Sequence, residues 1–251
     1  MSRSTKMEIR VEDLHKSFNE NYVLRGIDFA AKSGEITVII GGSGAGKSVL
    51  LKHLIGLVQP DRGRIFVGDV WLGGLSERQM IALRRRFGMI FQTGGLLNSL
   101  RVWENVALPL VEHGWASSRE IEETVHRCLA QVGMADKGDE MPANLSGGMR
   151  KRVSIARALT TRPETMLFDE PTAGLDPPRA QQIDDLIKRV SREFRVTSVV
   201  VTHDMLSAFQ LADHIHMLHE GRFVASGTAE QIRASTDPHV RSFISRHLAG
   251  T

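Results

Sequence analysis

The fold follows from one octapeptide, Gly41-Gly42-Ser43-Gly44-Ala45-Gly46-Lys47-Ser48. It matches the pattern G-x-x-x-x-G-K-[ST], which is typical of loops that bind phosphate groups. The preceding segment 35–40 is apolar and β-branched, which predicts a buried strand, and a helical pattern extends from about 46 to 57. A strand, a glycine-rich turn and a helix in this order are the context that such a loop requires.

The residue types of the octapeptide suit a triphosphate. Glycines allow the loop to curl, so that backbone N–H groups point inward at phosphate oxygens. The N-terminus of the following helix adds partial positive charge. We therefore expect Lys47 to contact the β- and γ-phosphates of a nucleotide and Ser48 to ligate Mg²⁺. The flanking strand and helix argue against an ordinary glycine-rich turn.

Strand and helix patterns alternate along much of the 251-residue chain. Strand signals at 165–168, 198–201 and 214–218 are separated by helical patterns. This alternation predicts an α/β fold with a largely parallel sheet and helices on both of its faces. Residues 7–40 are also predicted to form strands, and they precede the part of the chain in which strands and helices alternate.

The segment 93–160 differs in character, because β-branched runs give way to apolar residues at helical spacing. We interpret it as a helical subdomain inserted into an α/β core, which 7–92 and 161–236 form together. The final segment, 237–251, also has helical spacing and predicts an amphipathic tail. One domain that begins at residue 7 then accounts for the whole pattern.

Two carboxylates follow the apolar segment 165–168. Because ligands of open α/β sheets bind beyond the carboxyl ends of the strands, we expect Asp169 and Glu170 at the same edge as the glycine-rich loop. Asp169 is predicted to hold Mg²⁺, through water, and Glu170 to orient and polarise an attacking water. Taken alone, the pair could equally cap the N-terminus of a helix. The phosphate loop favours the catalytic interpretation.

Two further polar residues end apolar segments in the same way. Gln92 follows the segment 87–91, and His203 follows the segment 199–202. Both are expected at the same sheet edge, near the γ-phosphate. A histidine there could donate a hydrogen bond to this phosphate, and we interpret His203 as catalytic rather than structural.

A second glycine-rich segment, Leu145-Ser146-Gly147-Gly148-Met149, precedes another helical pattern. A Ser-Gly-Gly sequence at the start of a helix presents a second group of backbone N–H donors. A single nucleotide needs only one such group. The simplest explanation is that the two groups serve different copies of the chain.

Taken together, these motifs resemble those of ABC-transporter ATPases over essentially the whole chain. Each motif has a counterpart, which we give with its position here: the Walker A loop at 41–48, the Q-loop glutamine at Gln92, the signature at 145–149, the Walker B strand at 165–170, the D-loop at 173–176 and the switch histidine at His203. Phe18 stands where that family has an aromatic residue that stacks on adenine, although packing in the core is the alternative for it.

The resemblance implies a P-loop NTPase fold with a RecA-like core, an N-terminal antiparallel β part and a helical signature subdomain. It also implies ATP hydrolysis by a homodimer, in which two copies enclose two ATP molecules. Ser146, Gly147 and Gly148 of one copy would then bind the γ-phosphate held by the other copy. Gln92, which the family gives a catalytic role, would also join Ser48 and Asp169 at Mg²⁺.

Methionine at position 149 departs from the common signature, L-S-G-G-Q. A thioether accepts hydrogen bonds only weakly and donates none, so Met149 cannot replace the polar contacts of glutamine. This variant resembles the ATPases of MCE-type lipid transporters, the MlaF-like group, as do the segments 91–97, 102–110 and 237–248. By resemblance, the chain would drive phospholipid transport between the inner and outer membranes of a Gram-negative bacterium.

That resemblance also implies partners and a location. The partners would be a pair of permease subunits (MlaE-like), a periplasmic MCE-domain protein (MlaD-like) and a STAS-domain protein (MlaB-like), with the chain at the cytoplasmic face of the inner membrane. The alternatives are an ATPase for lipoprotein extraction or amino-acid import and, less favoured, an ABC ATPase that serves no transporter. We also expect the tail after Asp237 to help hold the dimer.

Composition is compatible with these expectations. A formal net charge of +3 does not indicate nucleic acid as a partner. The single cysteine, Cys128, fits a reducing compartment. No segment approaches the ~20 apolar residues that are needed to span a bilayer, so other chains are expected to cross the membrane.

Overall fold

The computed structural model describes residues 7–114 and 116–248. Ten strands are assigned in this part of the chain: β1 (Ile9–Phe18), β2 (Asn21–Ala31), β3 (Ile36–Ile40), β4 (Arg62–Val67), β5 (Val70–Trp71), β6 (Phe87–Ile90), β7 (Thr165–Asp169), β8 (Thr197–Thr202), β9 (His214–His219) and β10 (Arg222–Gly227). The helices are α1 (Lys47–Leu54), α2 (Glu77–Arg84), α3 (Val102–His113), α4 (Ser118–Gln131), α5 (Gly147–Leu159), α6 (Pro177–Phe194), α7 (Met205–Leu211), α8 (Ala229–Arg233) and α9 (Pro238–Leu248). The last three residues of the predicted tail, 249–251, lie outside the described residues.

Two sheets organise these elements. The larger sheet has the order β10-β9-β3-β8-β7-β6, in which every neighbouring pair is parallel except the edge pair β10 and β9. The smaller sheet is antiparallel, with the order β2-β1-β4-β5. The predicted α/β fold, with a mostly parallel sheet and an N-terminal antiparallel part, is confirmed.

The central strand β3 shows why the parallel sheet is buried on both faces. Its residues are all inaccessible to solvent, and they alternate between two hydrophobic clusters. Ile36, Val38 and Ile40 belong to the cluster beneath the long helices, which contains residues of α3, α4, α5 and α6. Ile39 instead packs with α1 and the antiparallel sheet. Successive side chains of a strand point to opposite faces, so a strand between two layers is mainly apolar on both faces, and Thr37 is the polar exception in β3.

The helix after the phosphate loop is shorter than its sequence pattern predicts. α1 ends at Leu54, not near residue 57. Gly56 adopts φ +66°, and its N–H donates to the carbonyl of His53 at 3.0 Å. A left-handed glycine after the last turn terminates a helix. The apolar residues beyond it mislead a prediction that is based on periodicity alone.

Helices α3, α4 and α5 pack on one another within the segment that was expected to form a helical subdomain. Val106, Val125 and Val153, one from each helix, are inaccessible to solvent in the same cluster. α5 also contacts β6 of the larger sheet. The division into core and subdomain remains a prediction, but these helices share one apolar interior.

The tail helix α9 packs against its own chain. Val240 is inaccessible to solvent, and Phe243 and Ile244 lie against the cluster beneath the long helices. α9 contacts α7, α8 and β10, and the ring centroid of His239 lies 4.4 Å from that of His219 in β9. Val240, Phe243 and Ile244 are therefore engaged within one copy, and the contribution of the tail to a dimer remains a prediction. Among the described residues, no helix combines the length and apolarity that crossing a membrane requires.

Candidate functional site

A cleft of about 750 Å³ lies at the carboxyl edge of the parallel sheet. The phosphate loop, which joins β3 to α1, forms its floor. Its lining comprises Val23, Gly42, Ser43, Gly44, Ala45, Gly46, Lys47, Ser48, Val49, Gln92, Glu170 and His203. Residues from four separate parts of the sequence that were expected at one edge therefore share a single cleft.

The curl of the phosphate loop depends on glycine. Gly44 and Gly46 adopt φ +78° and +104°, values that favour glycine. The loop tightens further because the N–H of Ala45 donates to the carbonyl of Gly42 at 3.3 Å. At Gly41 the constraint is steric, since an added Cβ would lie 2.4 Å from the carbonyl oxygen of Leu218. The glycines thus let the loop backbone curl and approach its neighbours closely.

Lys47 begins α1 and folds back over the loop. Its Nζ donates to the carbonyl oxygens of Gly41 at 2.8 Å and Gly42 at 3.1 Å. It also lies 3.3 Å from Oε1 of Glu170, and both side chains are largely buried. A buried ammonium at the base of a cleft attracts a polyanion. In this structure the carbonyls of Gly41 and Gly42 accept hydrogen bonds from it.

Ser48, the last residue of the phosphate loop, contacts Asp169. The hydroxyl of Ser48 donates to Oδ1 of Asp169 at 2.8 Å, and Asp169 is the last residue of β7. Hydroxyl and carboxylate oxygens are the ligand types that Mg²⁺ prefers, together with water and phosphate oxygens. The side chains present therefore fit the predicted magnesium site.

Glu170 occupies a strained backbone position directly after β7. Its φ is +47°, in the left-handed region, and its N–H donates to the carbonyl of Val201 at 2.9 Å. Its Oε2 lies 2.8 Å from Nδ1 of His203 and accepts from the backbone N–H of His203 at 3.2 Å. Strain of this kind persists only where the surroundings enforce it, and it is common at functional sites. Lys47 and His203 thus hold the carboxylate from two sides at the cleft.

Gln92 and Phe18 differ in how they relate to the cleft. Gln92 is exposed and lines the cleft, as the sequence predicts. Phe18 is not among the lining residues; it is 44% exposed at the end of β1, with Nζ of Lys16 located 5.3 Å from its ring centroid. Val23 lines the cleft instead. The predicted stacking of Phe18 on adenine therefore remains a prediction, and the alternative of core packing does not fit its exposure.

The second glycine-rich segment lies outside the cleft of its own chain. Ser146 caps α5, because its Oγ accepts from the N–H of Met149 at 3.3 Å. Neither this serine nor Gly147 and Gly148, the first two residues of the helix, lines the cleft. A role for these residues at the nucleotide of a second copy remains a prediction.

Lys151 is a residue near the site that the sequence reasoning missed. It is 5% exposed, and its Nζ donates to the backbone carbonyls of Phe91, Gln92 and Glu170. Burial lowers the pKa of Lys151 to about 8, while Asp169 and Glu170 oppose this shift. The sequence did offer one signal for Lys151, because a lysine at this position interrupts the apolar helical pattern that follows the signature segment 145–149.

These features define a class of protein. A curled loop with a lysine, a serine next to a strand-terminal aspartate, and a glutamate at the same sheet edge are the parts of a P-loop nucleoside triphosphatase. The family model described as "ABC transporter" matches residues 24–173, more than half of the chain. The chain belongs to the ABC transporter family.

Relatives and solved structures agree with this assignment. The methionine import ATP-binding protein MetN of Rhizobium johnstonii is 40% identical over 96% of this chain and 69% of its own. The chloroplastic protein TRIGALACTOSYLDIACYLGLYCEROL 3 of Arabidopsis thaliana is 38% identical over 96% of this chain and 74% of its own. The dimeric, post-hydrolysis structure of the ATP-binding cassette MJ0796 with ADP and Pi superposes with a TM-score of 0.80, at 31% identity, over 88% of this chain and 98% of that chain.

The family assignment carries several properties with it. The chain is an ATPase cassette that binds ATP with Mg²⁺ and hydrolyses it. ABC ATPases dimerise and pair with transmembrane permease subunits. The cargo is a separate question, because relatives of similar identity carry different names.

Proposed function

We propose that Glu170 orients and polarises the water that attacks the γ-phosphate of ATP. This proposal rests on the position of the Glu170 carboxylate, which lies between Lys47 and His203 in the cleft that the phosphate loop lines. A general base must lie within hydrogen-bond reach of the water whose proton it accepts. A carboxylate at the γ-phosphate end of the cleft satisfies that requirement.

The other residues of the cleft divide the remaining work. Lys47 leaves its loop carbonyls and binds the β- and γ-phosphates, and His203 donates to the γ-phosphate. Ser48 and Asp169, together with Gln92, would hold Mg²⁺, which would supply positive charge to the phosphate oxygens when bound. Catalysis of this kind consists mainly of positioning and electrostatic stabilisation, so the geometry of the cleft is what the chain contributes.

Closure of two copies completes the site. Ser146, Gly147 and Gly148 of the second copy supply further hydrogen-bond donors to the γ-phosphate, so ATP joins the copies and hydrolysis releases them. A ligand shifts such an equilibrium only by its differential affinity for the two states. Contacts across the γ-phosphate give ATP that differential affinity, and ADP lacks them.

The substitution Glu170→Gln tests the catalytic part of this proposal. We expect ATP hydrolysis to fall by about a hundredfold or more, and the variant to elute as a dimer with ATP but not with ADP. Glu164→Gln is a matched control, because Glu164 lies just before the other end of β7 and pairs with Arg86. Hydrolysis at the wild-type rate by Glu170→Gln would remove Glu170 from this role.

For the cargo, we propose phospholipid transport between the inner and outer membranes, with the chain bound to its permease at the cytoplasmic face. The methionine in the signature supports this, as does similarity to a relative named for a galactolipid. MlaE-like, MlaD-like and MlaB-like proteins are the partners proposed. A methionine import protein of similar identity favours the alternative of amino-acid import.

Reconstitution separates the two cargo candidates. The chain would be purified with the permease encoded beside it and placed in vesicles that contain a fluorescent phospholipid. We expect ATP-dependent movement of the phospholipid and no stimulation of hydrolysis by methionine. Stimulation by methionine together with its periplasmic binding protein, with no movement of lipid, would replace the phospholipid proposal by the import alternative.

A further inference from the structure

Lys151 joins three parts of the chain that the sequence keeps far apart. It lies on α5, the helix that Ser146 caps, and its side chain extends to the carboxyl ends of β6 and β7. There, Nζ donates to the carbonyls of Phe91 at 3.5 Å, of Glu170 at 3.3 Å and of Gln92. An ammonium has three hydrogens, so these three carbonyls use its full donor capacity.

The ammonium group of Lys151 is stabilised by hydrogen bonds to backbone carbonyls and not by a direct ion pair. Within residues 7–114 and 116–248, no carboxylate lies within ion-pair distance of its Nζ, so the carbonyls provide its contacts. Asp169 and Glu170 interact with it only at longer range. Burial of an ammonium is costly unless its hydrogens are satisfied. Lys151 can therefore remain at this place only while the backbone of Gln92 and Glu170 stays where it is.

We propose that Lys151 is a positioning residue that holds the signature helix α5, Gln92 and Glu170 together as one unit. The consequence concerns both sites of a dimer. The N-terminus of α5 presents Ser146 to the partner's nucleotide, while Gln92 and Glu170 act on the nucleotide of their own copy. Lys151 thus fixes the backbone from which Glu170 extends, at a residue whose φ is already strained. This inference rests on the proposed role of Glu170.

A buried lysine with a purely structural role is the competing explanation, and the same helix offers a matched control. Arg152 is the next residue of α5, but its guanidinium donates to the carbonyl of Val132 at 3.0 Å and to the side chain of Gln182 at 3.3 Å. Neither partner lies at the cleft. Arg152→Met therefore removes a cation and its bonds from α5 without touching the catalytic edge.

The experiment compares steady-state ATP hydrolysis by Lys151→Met and Arg152→Met, each measured well below its own melting temperature. For Lys151→Met we expect kcat to fall at least about tenfold while the KM for ATP stays within about twofold, because the phosphate loop is intact. For Arg152→Met we expect both constants near wild type, whatever its melting temperature. Lys151→Gln, which keeps two N–H donors, is expected to have an intermediate kcat.

Several outcomes would overturn the inference. A wild-type kcat in Lys151→Met would do so, as would equal losses of kcat in Lys151→Met and Arg152→Met. If Lys151→Met does not fold, Lys151→Gln decides, and a wild-type kcat there overturns the inference. Glu170→Gln with wild-type hydrolysis would instead refute the proposed function. If Glu170→Gln is inactive while Lys151→Met retains full kcat, only the role of Lys151 is refuted.

Discussion

Asp184 shows how a single carboxylate away from the cleft couples stability to pH. It lies on α6, is 3% exposed and accepts a hydrogen bond from the hydroxyl of Ser207 at 2.6 Å. Its other oxygen has no hydrogen-bond partner among the described residues. Burial raises the pKa of Asp184 to about 7, Asp204 and Asp185 act in the same direction, and Ser207 opposes them. The carboxyl group is thus protonated in the folded chain at a pH where the unfolded chain has lost the proton.

The sign of the pH effect follows from that difference. Between about pH 4 and pH 7 the unfolded chain releases a proton that the folded chain retains, so the free energy of unfolding falls as the pH rises through this window. Above pH 7 the full cost of the buried charge is present, roughly 2–4 kcal/mol. Asp184→Asn removes the titration and leaves an oxygen that can accept from Ser207.

We therefore expect Asp184→Asn to melt about 5–10 °C above wild type at pH 8, with a difference that shrinks by about half at pH 5.5. Thermal unfolding followed by circular dichroism at several pH values measures this. Asp185→Asn is the control, because Asp185 is the next residue of the helix but is exposed. A difference that stays constant from pH 5.5 to 8 would contradict a raised pKa at Asp184.

At the scale of elements, the pairing of β1 with β4 depends on one glycine. Gly63 has φ +100°, and an added Cβ would lie 2.3 Å from the carbonyl oxygen of Asp13. The register of the two strands shifts at this place, between Glu12 and His15. A strand passes such an irregularity only where its backbone can bend and approach its neighbour closely.

Gly63→Ala is expected to destabilise the chain by about 3 kcal/mol, because it combines backbone strain with a clash against another strand's backbone. Gly68→Ala, after the end of the same strand, is the comparison: φ is +59°, but nothing lies within 4 Å of the added Cβ. For it we expect about 1 kcal/mol. Urea titration of both variants measures the two losses. Equal losses would show that the approach of β4 to Asp13 is not what requires glycine.

Strands and helices with a clear hydrophobic pattern could be predicted from the sequence, and elements without such a pattern could not. The buried strands β3 and β8 were predictable because 36–40 and 199–201 are runs of β-branched, mainly apolar residues, as expected for strands between two layers. β10 was not predicted, since it is a short edge strand that is mostly part-buried and has no clear alternation. The end of α1 was misplaced because Gly56, not periodicity, stops the helix.

For the site, the sequence placed residues at an edge but could not supply their contacts. Gln92, Glu170 and His203 were expected together because each follows an apolar strand, and the three line one cleft. The left-handed backbone of Glu170 has no sequence signal, because it is enforced by neighbours such as Val201. Lys151 interrupts the apolar pattern after the signature, but its contacts could not be predicted, since only the fold brings the carbonyls of Phe91, Gln92 and Glu170 within its reach.

At the scale of the whole molecule, the chain carries two glycine-rich segments that do not line the same cleft. The cleft contains Lys47 and Glu170, whereas Ser146 caps a helix outside it. If Ser146 acts on the partner's nucleotide, one dimer has two composite sites, each built from the loop of one copy and the signature of the other. Defects in the two halves should then complement each other when different copies carry them.

Mixing inactive variants tests this arrangement. Lys47→Ala and Ser146→Arg should each abolish hydrolysis alone, but their heterodimer has one composite site with neither defect. An equal mixture is expected to recover up to about a quarter of wild-type hydrolysis, since about half of the dimers are mixed and each mixed dimer has one intact site. The control mixes Lys47→Ala with Glu170→Gln. Those two defects lie in the same half, so every composite site is impaired and no recovery is expected. If Lys47→Ala and Ser146→Arg form mixed dimers without any recovery, Ser146 does not complete the partner's site.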